Sequence, residues 1–145
     1  MKKYRIGYTT GVYDMFHIGH LNLLRNCKKR CNYLIVGVST DELVYKSKNK
    51  YPIIPFEERM AIIKSIEFVD EVVPQENKDK MAAYEKYKFD VMFVGDDWKG
   101  SELFTKCEKE LKKKGSRVIY FPYTKSTSST ILREKVLNYG KDKQK

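Results

Sequence analysis

The sequence is poor in the residues that build disulfide frameworks and zinc fingers: three cysteines and two histidines in 145 residues, with one tryptophan. An odd number of cysteines with no Cys-x-x-Cys pair argues against both scaffolds and suits reduced core thiols. No apolar run nears the ~18 residues that a membrane span needs. The opening Met-Lys-Lys-Tyr-Arg leads into a strand pattern instead of a signal-peptide core. No membrane span and a cytoplasmic location are therefore expected. Repeats, low-complexity tracts and linkers are also missing. The chain thus reads as one domain over residues 1–140, large enough to bury a core, followed by a short basic tail at 141–145.

Acidic charge is scarce relative to basic, 19 residues against 29, for a net charge of +10. Such a balance invites a nucleic-acid-binding reading, but no aromatic-flanked RNA motif, zinc finger or helix-turn-helix spacing accompanies it. Much of the excess lies in Lys28-Lys29-Arg30, Lys112-Lys113-Lys114 and the tail. Two of these runs are expected helix C-termini, where the dipole favours cations, so no nucleic-acid partner is expected. The same balance suits a protein whose substrates are polyphosphates.

The chemistry present is concentrated between Tyr8 and Arg25. A β-branched and aromatic run over 4–10 predicts a strand, and Leu21, Leu24, Cys27 and Cys31 predict one stripe of an amphipathic helix. The turn between them carries Gly11, Asp14, and both histidines as His17-Ile18-Gly19-His20. A helix N-terminus presents unpaired N–H groups and the positive end of a dipole, so imidazoles placed there face an anion, first of all a phosphate. Half of a zinc site and simple packing of the two rings are the plainer alternatives. Gly19 counts against packing, because a glycine between the histidines costs helix stability and is best explained by close approach of backbone or ligand. Asp14 has its own plain reading as an Asx-turn residue.

Downstream, strands are expected at 33–38, 68–73, 89–95 and 117–121. Helices are expected after Pro55, after a cap at Asn77, after a cap at Ser101 and after the polar loop 123–130, with the lysine-rich segment 45–51 as a loop over the site. Alternating strands and helices with short joins define an α/β fold, a doubly wound five-stranded parallel sheet. Ligands of such sheets bind beyond the carboxyl ends of the strands, where 10–20, 95–100 and 123–130 all fall.

The motifs Thr10-Gly-Val-Tyr-Asp14 and His17-x-Gly-His20, together with Ser128-Ser129-Thr130-x-x-Arg133, resemble the two signatures of the nucleotidylyltransferase superfamily and its Rossmann-like fold. Within it, Ser39-Thr40-Asp41-Glu42, Phe68-Val69-Asp70-Glu71 and Gly95-Asp96-Asp97-Trp98-Lys99-Gly100 are most similar to the cytidylyltransferase branch, and there to the glycerol-3-phosphate enzymes. The resemblance implies CTP and a small phosphomonoester reacting by direct in-line attack to give a CDP-linked product and pyrophosphate. Mg²⁺ would arrive with CTP, with no protein metal site, and the chain would form a homodimer.

By motif match, His17 and His20 would steady the transferred phosphoryl group, with Thr10, Gly11, Val12, Tyr13 and Gly19 forming the nucleotide turn. Ser128, Ser129, Thr130 and Arg133 would hold the outer phosphates, with Tyr123 and Thr124 before them, and Gly95, Asp96, Asp97 and Trp98 would meet the nucleotide at a strand end. Lys46 and Lys48 resemble the family's paired lysines, Lys46 serving both catalysis and the acceptor. Lys78, Lys80 and Asp14 complete the acceptor side. In two places where the glycerol-3-phosphate enzymes carry arginine in the phosphate surroundings, this chain has Glu67 and Tyr123. An adenylyltransferase on the same scaffold and a cytidylyltransferase for phosphocholine or phosphoethanolamine are the nearest rival readings.

Overall fold

A computed structural model of the chain describes residues 3–95, 100–122 and 129–143, with side chains at all of them except 129–130 and 140–143. The order of elements is β1 (Tyr4–Gly11), α1 (Ile18–Lys28), β2 (Cys31–Ser39), α2 (Asp41–Lys48), α3 (Phe56–Lys64), β3 (Glu71–Gln75), α4 (Lys80–Tyr87), β4 (Val91–Gly95), α5 (Glu102–Lys113), β5 (Arg117–Phe121) and α6 (Ser129–Lys143). The five strands form one sheet in the order β3-β2-β1-β4-β5. Every pairing is parallel. This is the doubly wound α/β fold expected from the alternation of elements.

The sheet is apolar on both faces because helices cover both. Along β2, Leu34, Val36 and Val38 point into one core with Leu24, Cys27, Ile63 and Phe93. Ile35, between them, points into a second core with Tyr8, Phe89, Met92, Phe104 and Leu111. The period of two thus assigns α1 and α3 to one face and α4 and α5 to the other.

Several boundaries depart from the sequence reading. The segment 45–51 does not form a simple loop, since α2 runs to Lys48 and ends at Asn49 in the left-handed conformation (φ 57°). Its start is conventional: the Thr40 side chain accepts from the amide of Leu43, Asp41 and Glu42 fill the first turn, and Leu43 and Val44 are buried. Lysine-rich composition hid that helix. Cys31 opens β2 instead of closing α1, although its thiol still donates to the carbonyl of Cys27 at 3.4 Å. The strand expected at 68–73 forms at 71–75, with Pro74 tolerated because β3 is an edge strand. Asp79, not Asn77, caps α4, accepting from the amides of Met81 and Ala82. At the chain's end α6 continues through Lys143, so the first three residues set apart as a tail are helical.

Candidate active site

The sheet order reverses between β1 and β4, so the crevice of a doubly wound sheet lies beyond Gly11 and Gly95, the last residues of those strands. A cleft of about 520 Å³ opens there, bounded by Thr10 and Gly11 from β1, Gly95 from β4, Lys48 at the end of α2, and Lys78 and Lys80 at the start of α4. That volume suits a nucleotide-sized ligand.

The turn from β1 to α1 is tightly wound. Tyr13 and Met15 both have positive φ, 57° and 50°, a conformation that only surrounding contacts maintain in residues of this size. The Tyr13 ring turns inward, 4% exposed, and joins the core beneath the turn. A Cβ at Gly11 would lie 2.8 Å from that ring, so glycine is what permits the inward turn. Tyr13, placed among the nucleotide contacts by motif, is here the floor under the site, edge-on to His20 at 5.5 Å.

His17 is the N-cap of α1 and forms a capping box with His20. Nδ1 of His17 accepts from the amide of Gly19 at 3.0 Å, and Nδ1 of His20 accepts from the amide of His17 at 3.2 Å. The rings stack with centroids 4.0 Å apart. With each Nδ1 accepting, the proton of a neutral ring resides on Nε2. Burial lowers the basicity of both rings, and for His20 the neighbouring His17 adds to burial, against Asp14, to bring the value to about 4. At neutral pH the pair is therefore two uncharged Nε2–H donors at a helix N-terminus. Gly19 serves by its amide, which caps onto His17.

Asp14 is buried at 3% exposure and accepts from the amides of Ile53 and Ile54, each at 2.9 Å, and from Nη2 of Arg133 at 2.5 Å. Burial works against its charge, but the two amides and the guanidinium outweigh it and hold the carboxyl below its usual range. These long-range contacts go beyond what the plain Asx-turn reading supplies. Through Arg133, the first turns of α6 reach the β1–α1 turn, so the two motifs that are far apart in sequence meet at one rim.

Cations crowd that rim. Nζ of Lys80 lies 3.3 Å from Oγ1 of Thr10, and burial lowers its ammonium, with Lys78 adding to the effect. Lys48 is pushed down by burial and then by Arg133, Lys50 and Lys78. Lys46, two residues earlier on α2, stands about 200° around the helix from Lys48 and does not line the cleft, although both side chains are exposed. Of the lysine pair expected to act together, Lys48 lines this cleft and Lys46 does not. Glu67 precedes β3 at the amino edge of the sheet, away from the cleft, so within this chain it is not part of the phosphate surroundings.

Asp96, Asp97, Trp98, Tyr123, Thr124 and Ser128 lie outside the described residues, and Ser129 and Thr130 are described only as the opening of α6. Among the described residues, no group of three or more His, Cys, Asp or Glu side chains is placed to hold a metal.

Sequence reasoning missed Arg59. Its side chain is fully buried and donates to the carbonyls of Ile54 (2.9 Å), Val12 (2.8 Å) and Ser39 (2.7 Å) and to the Asp41 carboxylate (2.6 Å). One guanidinium thus ties α3 to the ends of β1 and β2 and to the start of α2. The available signal was its position one turn before Ile63, an arginine on the apolar stripe of a helix.

The profile of the family described as Cytidylyltransferase-like matches residues 8–135, which spans both halves of this site. The chain belongs to the cytidylyltransferase-like family. Curated relatives of this cytidylyltransferase-like chain include the glycerol-3-phosphate cytidylyltransferase of Bacillus spizizenii, 39% identical over 130 residues that cover 87% of this chain and 92% of the relative. The enzyme of the same name from Staphylococcus aureus is 37% identical over 135 residues, covering 92% and 95%. Among solved structures, the lipopolysaccharide core biosynthesis protein of Thermoplasma volcanium superimposes with a TM-score of 0.68 at 27% identity, covering 83% of this chain and 97% of that one. That structure shares the fold described above.

Proposed function

We propose that this chain transfers the cytidylyl group of CTP to a small phosphomonoester, glycerol 3-phosphate, giving CDP-glycerol and pyrophosphate. An oxygen of the acceptor phosphate attacks the α-phosphorus of CTP, a P–O bond to that phosphorus forms, and the bond to the β-phosphate oxygen breaks as pyrophosphate leaves. The nucleophile is already an anion, so no side chain need take its proton. The protein's part is to position the two phosphates and stabilise charge on the five-coordinate phosphorus. The Nε2–H groups of His17 and His20 serve that charge, Arg133 serves the outer phosphates, and Lys48, Lys78 and Lys80 receive the acceptor's phosphate.

The observation that carries this reading is the seating of Arg133 on Asp14 beside the histidine pair, which supports one triphosphate site shared by both motifs. The names of the Bacillus spizizenii and Staphylococcus aureus relatives support glycerol 3-phosphate as acceptor. Magnesium belongs to the substrate, MgCTP, held by phosphate oxygens and water. A cytoplasmic homodimer is part of the same reading and rests on the family resemblance.

The test offers CTP or ATP with a panel of glycerol 3-phosphate, phosphocholine, phosphoethanolamine and sugar phosphates, and scores CDP- or ADP-linked product by mass. CDP-glycerol as the dominant product is expected. Turnover of ATP above CTP, or of another acceptor above glycerol 3-phosphate, overturns that part of the proposal.

A further inference from the structure

The connection from α2 to α3 runs against the β1–α1 turn as a strap, and one short piece of it is held from both sides. The amides of Ile53 and Ile54 donate to Asp14, while the carbonyl of Ile54 accepts from Nε of Arg59. Arg59 also holds the carbonyl of Val12, two residues before Asp14. The strap and the β1–α1 turn are therefore clamped to each other by two buried charged side chains. Lys48 lies at the α2 end of this strap. Arg133 of α6 is the cation that contacts Asp14.

Lys48 and Arg133 come from different elements, and Arg133 is among the charges that disfavour the Lys48 ammonium, whereas Asp14 favours it. Asp14 contacts Arg133 directly and also favours the Lys48 charge, from a position too buried to meet a substrate itself.

We propose that Asp14 is a positioning residue, holding the Arg133 guanidinium and the 53–54 strap in one arrangement so that Arg133 and Lys48 close on the same anion from two sides. A guanidinium has five donors in a rigid fork, so the nitrogen that meets Asp14 leaves others for phosphate. A long side chain already fixed does not lose rotamer freedom again when ligand binds, and that saving appears as affinity. The carboxylate offsets one positive charge of the four contributed by Lys48, Lys78, Lys80 and Arg133, so the rim still attracts a polyphosphate.

The decisive experiment reads the strap without substrate. In Arg133→Met, amide hydrogen exchange at Ile53 and Ile54 accelerates about tenfold or more relative to the parent, as expected when a charge-assisted contact that held their acceptor is lost, while Val36 in β2 is unchanged. Parent-like exchange at both amides overturns the proposal. A kinetic arm uses Asp14→Asn, which keeps the shape but not the charge. The KM for CTP rises about tenfold or more with a smaller change in kcat, yet by only about twofold when the same change is added to Arg133→Met. Independent, multiplying effects overturn the proposal, as does a loss of stability with KM unchanged. Should Asp14→Asn fail to fold, the exchange measurement decides alone.

The kinetic arm rests on the cytidylyl-transfer reading, and the exchange arm does not. If the parent makes no CDP-linked product, the dissociation constant for CTP replaces KM, and that failure counts against the reaction and not against Asp14.

Discussion

Arg133 and Asp14, 119 positions apart in the chain, form an ion pair at 2.5 Å. The contact joins the last helix to the first turn and so brings the two motif-bearing segments together. It leaves Arg133 partly exposed and Asp14 buried, which is the asymmetry expected of a donor that meets ligand and an acceptor that supports it.

In the proposed reaction the two histidines act as neutral donors. Replacing His20 with alanine removes one Nε2–H donor to a charged group and the capping of His17, so turnover of CTP falls about a hundredfold or more. Steady-state kinetics check this, and activity within a few-fold of the parent removes His20 from the chemistry.

The same residue makes a pH prediction. His20 titrates at 6.5 when unfolded and at about 4 when folded. Between those values the unfolded chain binds the extra proton, so its contribution to stability is complete above pH 6.5 and is lost as pH falls toward 4. The loss is on the order of 3 kcal/mol over that window. Urea denaturation at several pH values tests it, since the parent should lose more stability than His20→Ala on acidification.

Lys48 and Lys46 should separate clearly. Lys48→Ala lowers kcat/KM at least about tenfold, the worth of a charge-assisted contact, whereas Lys46→Ala stays within about threefold. Equal losses would show that the α2 end rearranges on binding.

Arg59→Met tests the hub. It leaves three carbonyls and the Asp41 carboxylate without their donor, which costs roughly 3–5 kcal/mol. Thermal denaturation should show a midpoint lower by about 10 °C or more.

Much of this molecule was legible in sequence because the signals were local. The apolar run of β2, the caps at Ser101 and the histidine turn announce their elements through nearest neighbours in the chain. The α2 helix was misread because its lysines carry little burial information, and the two residues that anchor it, Leu43 and Val44, are too few to set a period. The place of Glu67 before β3 was not legible either. A motif match carries no account of which edge of the sheet a residue occupies.

By itself the sequence determined the alternation of strands and helices, the two phosphate-type motifs and the edge of the sheet where both fall, since propensity, capping and periodicity act over a few residues. Only the tertiary structure decided that Asp14 seats Arg133, that Arg59 is buried with hydrogen-bond acceptors from outside its helix, and that Lys48 rather than Lys46 lines the cleft. Those outcomes depend on burial and on charges brought together across the fold, and a charged side chain looks the same in sequence whether it ends in water or in the interior.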